Sequence, residues 1–173
     1  ALALLYGQVE SSKMKKQNSS TQIVNKTMVS SATETFCGCG RLTEELNKAG
    51  FEALGVDYFG NKDKPRTKTA QVDITTVWGS REAMKIIEDR HSEFTWFAPP
   101  CGSASRAREI RRKDGFDPKP LRSDDMPDGL CGLNSSDSER IRKANLLYRV
   151  TAGAAKLLSA KKRSWAIQNP SNS

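Results

Sequence analysis

The stretch Glu34–Asp57, ETFCGCGRLTEELNKAGFEALGVD, does most to fix what this chain can fold into. Thr33–Gly40 reads as a short strand running into a Gly-x-Gly turn at Gly38–Gly40. Behind it, Leu42, Leu46 and Ala49 recur at offsets of four and seven, the period of one helix face. Gly50 suits the helix stop, since glycine readily takes the left-handed conformation that ends helices. Phe51–Val56 reads as a second strand with Asp57 at its tip. Such a strand–turn–helix–strand unit lets a ligand approach the turn's backbone and offers an acid to ribose hydroxyls. The Gly38 to Asp57 spacing is close to the roughly 20 residues such units carry. The glycines alone suit a ligand-free turn equally well, and Asp57 an ordinary solvated turn.

Further on, Gln71–Ile74 reads as a third short strand ending near Asp73. Ser80 can cap a helix over Arg81–Asp89 that buries Ala83, Met84, Ile86 and Ile87. Phe94–Ala98 is a fourth strand, stopped by Pro99 and Pro100. Cys101 follows at once, then a small, polar loop with Arg106 and Arg108, whose charges favour a thiolate. The alternative for Cys101 is a small buried residue, a common fate of free cysteine. Glu109–Ser138 is charged, rich in Pro and Gly, and carries Arg111, Arg112, Lys113, Lys119 and Arg122. It reads as a mobile insertion: a phosphate-contacting lid or merely a solvated loop. Glu139–Ala160 is the best-marked helix, capped by Ser136 or Ser138. A fifth strand, Ser164–Ile167, ends on Gln168–Asn169–Pro170. Strands alternating with helices predict a parallel sheet in an α/β fold.

Net charge is +8 over 173 residues, which fits a polyanionic partner, nucleic acid first. A mean hydropathy of −0.62 predicts a modest core. No apolar run is long enough to span a bilayer, and Ala1–Tyr6 is too short for a signal peptide. Four cysteines without a secretory signal predict reduced thiols in an intracellular protein, nuclear if eukaryotic. Cys37 and Cys39 form a C-x-C pair, but Cys131 is distant and His91 is the sole histidine, so zinc ligands at the usual spacing are lacking and no metal is expected. Residues 7–32 are rich in Ser, Lys, Gln, Asn and Thr, so residues 1–32 read as a flexible leader and the folded part as 33–173. A short strand at Gln22–Val24 is the one exception considered.

The order of these pieces resembles the cytosine C5 DNA methyltransferases. Glu34–Asp57 is similar to that family's cofactor-binding opening, and Val72–Thr75 to its short D-I element. Ala98–Cys101 (APPC) resembles the catalytic Pro-Cys element, and Gln168–Pro170 the Glu-Asn element. The runs SASRAREI, LRSDDMPDG and RKANLLY resemble a divergent branch found in retroelement polyproteins. The resemblance implies a Rossmann-like, S-adenosylmethionine-dependent methyltransferase fold, incomplete at its C-terminus. By motif, Phe36, Gly38 and Gly40 would line the cofactor and Asp57 would take its ribose. Asp73 would meet the adenine amino group, with Ile74 beside the ring. Pro100 and Cys101 would form the catalytic turn, with Gln168 and Asn169 opposite. Ser105, Arg106, Arg108, Arg111 and Arg112 are the candidate nucleic-acid contacts. The implied partner is DNA, with RNA open as substrate.

The implied reaction begins with a thiolate adding to carbon 6 of a cytosine drawn out of the stack, which makes carbon 5 nucleophilic. The sequence departs from the family at Gln168, which stands where the family has a glutamate. An amide can hold the cytosine edge but is a poor acid, and acid–base assistance is worth roughly 10²–10⁴ in rate. The alternative reading is therefore a decayed or partial copy that keeps the fold and weak cofactor or nucleic-acid binding. An amino methyltransferase fits less well, since it needs no thiol and has no use for Ala98 and Cys101.

Overall fold

The computed structural model describes residues 30–62, 64–105, 108–110, 113, 115 and 118–168. The predicted leader up to residue 29, with its possible strand at Gln22–Val24, lies outside them. Among the described residues five strands and three helices follow in order: β1 (Ser31–Thr35), α1 (Arg41–Lys48), β2 (Glu52–Asp57), β3 (Thr69–Gln71), α2 (Val77–Asp89), β4 (Phe94–Phe97), α3 (Ser135–Ala160) and β5 (Ser164–Ile167). The strands form one sheet in the order β3-β2-β1-β4-β5, and every pairing is parallel. This is an α/β, Rossmann-like sheet. The chain leaves β1 towards β2 and β3, then returns to lay β4 on the other side of β1. The strand order thus reverses between β1 and β4, and their carboxyl ends flank the crevice where such sheets bind ligands.

The sheet's two faces are covered differently. Phe97 packs with Ile87 of α2 and with Ala154 and Leu158 of α3. Thr35 pairs with Phe97 and so shares that face. Glu34, one residue earlier, points the opposite way, towards α1. Its carboxylate accepts the Thr43 backbone N–H at 2.7 Å and the Thr43 hydroxyl at 2.5 Å. Gly40, the residue before α1, has no side chain to cap with, so a strand carboxylate caps the helix instead. Glu34 is only 7% exposed and Thr43 is fully buried. A second core cluster, Val56, Val72, Ile74 and Ala83, ties β2 and the β3 turn to α2, with Phe36 packed against it.

Several boundaries differ from the sequence reading. β1 begins at Ser31, inside the expected leader, and ends at Thr35, because Phe36 turns to φ 62°. β3 is Thr69–Gln71, not Gln71–Ile74. Once Val72 N–H has bonded the Asp57 carbonyl at 2.7 Å, the Asp73 carboxylate accepts both the N–H and the hydroxyl of Thr75 and curls the chain into a turn. Val72 and Ile74 are buried as turn residues rather than strand residues. Helix α2 starts before Ser80. Its cap is Thr76, whose hydroxyl accepts Gly79 N–H at 2.9 Å. Helix α3 starts at Ser135, and its cap is Asn134 rather than Ser136 or Ser138, through Asp137 N–H at 2.8 Å. In α1 the fully buried position is Thr43, while Ala49, just past its end, is exposed. No helix among the described residues is long and apolar enough to cross a membrane.

Candidate active site at the carboxyl edge of the sheet

Backbone pairing sets the site's frame. Phe36 N–H bonds the Val56 carbonyl at 2.8 Å, Ala98 N–H bonds Thr35 at 3.1 Å and Gln168 N–H bonds Phe97 at 2.8 Å. The loops that begin at Asp57, Phe36, Ala98 and Gln168 therefore leave neighbouring strands at one level. Adjacent strands lie about 5 Å apart, so the four loops fall within roughly 15 Å. With Asp73 and Ile74 beyond β3, the described candidate cofactor and catalytic residues share one edge of the sheet. Asn169, Arg106, Arg111 and Arg112 lie outside the described residues.

On the β1–β2 side, Gly38 and Gly40 both take positive φ, 56° and 71°. Open space beside the Gly38 backbone would admit a Cβ without contact. Gly38 N–H bonds Asp57 Oδ2 at 2.6 Å, and Asn61 donates to the same oxygen at 3.0 Å. Oδ1 accepts Tyr58 N–H at 2.7 Å. Two carboxylate oxygens offer about four acceptor directions, so capacity for a hydroxyl remains. Phe36 holds a left-handed conformation that bulky residues rarely adopt, a form of strain that clusters at functional turns. Cys37, between them, points inward. Its Sγ lies 3.9 Å from the Thr69 hydroxyl and would be 2.8 Å from a Cβ at Gly55. Burial, then the nearby Asp57 charge, push its thiol up to about 11. Cys37 is thus a packing residue and a poor nucleophile. Ile74 is 3% exposed, in the core.

The sequence reading missed the apolar groups around this edge. Tyr58 and Phe59, directly after Asp57, are 49% and 83% exposed, and Val77 and Trp78 at the start of α2 are 71% and 69% exposed. An aromatic pair following a strand-tip acid was the available signal. Large apolar side chains left in solvent around a crevice mark a binding surface.

On the β4 side, Cys101 is half-buried, and its carbonyl accepts Ala104 and Ser105 N–H, both at 2.9 Å. Hydrogen bonds tie described residues of the loop after it to the insertion. Arg108 Nε donates to the Lys119 carbonyl at 2.9 Å, with Nη1 3.5 Å from the Gly102 carbonyl. The Tyr148 hydroxyl of α3 donates to the Pro100 carbonyl at 3.0 Å. Arg122 lies 5.4 Å over the Tyr148 ring, gives Nη2 to the Ser103 hydroxyl at 3.1 Å and gives Nη1 to the Pro127 carbonyl. Ser103 is 4% exposed and Leu121 is 1% exposed. The described part of the insertion therefore packs onto the thiol loop and α3. Gln168 is exposed, next to the Ala98–Cys101 turn. The sequence marks Arg122 only as one cation of the insertion and gives Tyr148 no role at the site, because nothing local links them to Ser103 or Pro100.

No family model matches this chain, and no curated protein matches it. Among solved structures it is similar to a short-chain dehydrogenase family protein from Francisella tularensis subsp. tularensis SCHU S4. That likeness has 13% identity and a TM-score of 0.49, and covers 82% of this chain and 51% of that one, so the chain spans about half its length. A Burkholderia multivorans protein assigned to the short-chain dehydrogenases/reductases, solved with NADP, gives 12% identity and a TM-score of 0.38, over 80% and 77% of the two chains. These likenesses are too remote to bear on chemistry. What the strand order and the glycine turn define is a Rossmann-like α/β domain.

Proposed function

We propose that this chain carries the cofactor edge and the nucleophile of an S-adenosylmethionine-dependent methyltransferase acting on carbon 5 of cytosine in DNA. One observation supports it above the rest. Three neighbouring strands, β2, β1 and β4, bring Asp57, the glycine turn and the Pro100–Cys101 turn to the same crevice. The residues present fit the cofactor: an open glycine backbone, a strand-tip carboxylate with spare acceptor capacity, and exposed apolar rings beside it. Gly38 and Gly40 would let it approach, Asp57 would hold its ribose, and Tyr58, Phe59 or Trp78 would cover its adenine. The cofactor supplies the methyl group that carbon 5 takes.

Cys101 does the chain's own chemistry. Its sulfur forms a bond to carbon 6 of the ring, and the electron pair of the broken 5,6 double bond becomes available at carbon 5. Loss of the carbon 5 proton later restores the double bond and expels the sulfur. The hydrogen bond from Tyr148 to the Pro100 carbonyl fixes the turn that presents the thiol. Gln168, at the level of that turn, can hydrogen-bond a pyrimidine edge but cannot protonate it.

Gln168 favours one second reading: a decayed copy that binds but does not turn over. An oligonucleotide containing 5-fluorocytosine, offered with the cofactor, separates the two. Fluorine cannot leave as the proton does, so an active chain stays bonded through Cys101. The expected result is a covalent complex that Cys101→Ser abolishes. A complex that survives the substitution overturns the assigned nucleophile, and no complex with the wild-type chain leaves the decayed copy as the reading.

A further inference from the structure

A cleft of about 910 Å³ opens beside the Cys101 loop. Pro99 and Ile167 supply strand-end walls, Leu130 comes from the insertion and Tyr148 from α3. Among its described lining residues, none belongs to the glycine turn, to β2 or to the β3 turn. The edge therefore has a second compartment, separate from the one assigned to the cofactor. Its size lies in the range of pockets that take one small organic ligand, roughly 300–1,000 Å³.

No ion pair joins the charges of this cleft among the described residues. Arg122 gives its two donated hydrogen bonds to neutral acceptors, the Ser103 hydroxyl and the Pro127 carbonyl. Its Nε is buried with no partner, and it makes no ion pair among the described residues. Glu109 and Asp124 line the same cleft, also without an ion pair among the described residues. A guanidinium in that state favours an anionic group, and phosphate suits its planar fork. Carboxylates accept from N–H donors: cytosine, adenine and guanine offer an exocyclic amino group, whereas uracil offers only a ring N3–H between two carbonyl oxygens that repel a carboxylate. The apolar walls and the Tyr148 ring suit the base itself.

We infer that this cleft binds the acceptor nucleotide, with its phosphate at Arg122 and an amino-bearing base read by Glu109 and Asp124. The carboxylate facing the base edge then comes from the insertion rather than from the Gln168 position. The inference rests on the reading of Cys101 as the attacking thiol; Pro99 and Ala104, on either side of it in the chain, line the cleft. The nucleotide can be free or part of a single strand, since both present the same chemistry.

The test is fluorescence anisotropy of a short labelled oligodeoxycytidine on the 173-residue chain, with CMP and UMP as competitors. CMP is expected to compete about tenfold better than UMP, which lacks the amino group. Arg122→Gln should weaken both by about tenfold. Arg122→Lys, which keeps the charge, should retain more affinity and carries the test if the glutamine variant unfolds. Glu109→Gln with Asp124→Asn should erase the preference for CMP. If neither mononucleotide displaces the probe, the acceptor lies within nucleic acid and the comparison passes to unlabelled oligodeoxycytidine against oligodeoxyuridine, with the same roughly tenfold preference expected; displacement by CMP makes the single nucleotide sufficient. Equal competition by CMP and UMP, or an affinity indifferent to both Arg122 variants, overturns the inference. S-adenosylhomocysteine titrated into the same samples separates the two proposals: its binding survives if only the cleft assignment fails, and its absence with nucleotide binding intact fails the methyltransferase reading alone.

Discussion

The crevice between β1 and β4 has two banks, built by different means. On the glycine bank, backbone groups do most of the shaping: Gly38 N–H meets the Asp57 carboxylate 19 residues on, and Asp73 curls its own turn through Thr75 two residues later. On the thiol bank, long side chains do the holding: the Tyr148 hydroxyl holds Pro100 from 48 residues away, and the Arg122 guanidinium bonds the Ser103 hydroxyl. A site made of turns and strand tips is written in local sequence. A site made of long side chains appears only once the chain has folded.

The difference can be attacked from either bank. The largest effect is expected at Gly79, where a Cβ would sit 1.9 Å from the Asp73 carbonyl oxygen. Gly79→Ala should cost roughly 1–3 kcal/mol in chemical denaturation, despite alanine's helix preference of about 1 kcal/mol. The clash would disturb the Asp73 turn while leaving the Tyr148–Pro100 bond intact. A stabilised variant would mean that this turn is not the rigid part of the glycine bank. Next in size, Glu34→Ala removes the carboxylate that caps α1 and should cost roughly 1–2 kcal/mol by the same measurement. An unchanged midpoint would show that the cap is dispensable. On the opposite bank, Tyr148→Phe keeps the ring under Arg122 and deletes only the bond to Pro100. It should cost about 1 kcal/mol and slow alkylation of Cys101 more than that of Cys131. Unchanged Cys101 kinetics would remove Tyr148 from the thiol's support.

Cys37 has the smallest effect at neutral pH, and its sign is fixed. Its folded-state pKa, about 11, lies above the ordinary thiol value of 9.0, so above pH 9 the folded state holds a proton that the unfolded state loses. Stability from this group is whole below about pH 9 and falls as pH rises towards about 11. Cys37→Ala should flatten that alkaline slope, and a slope left unchanged would assign it to other groups.

The same contrast governs what could be read in advance. β5 is visible at its observed bounds, β4 to within one residue at one end and β2 to within one residue at each end, because each is an apolar run fenced by turn residues or prolines. The β3 register is not, since Val72 and Ile74 look like strand residues but are buried in a turn that a side chain, Asp73, organises. Three helix starts show a related limit. Thr76, Asn134 and the distant Glu34 do the capping, and only bond geometry separates them from Ser80, Ser136 and Ser138. Gly38, Asp57 and Cys101 stand out by residue type and spacing. Arg122, Glu109 and Tyr148 converge on one cleft from the insertion and α3, and no spacing announces it.

The central claim is that the glycine bank is a methyltransferase cofactor site, and isothermal titration of S-adenosylhomocysteine into the chain, with Asp57→Ala beside it, tests it most directly. Saturable binding, weakened about tenfold or more in Asp57→Ala, is the predicted result. A folded chain that takes up none, or whose binding ignores Asp57, would contradict it.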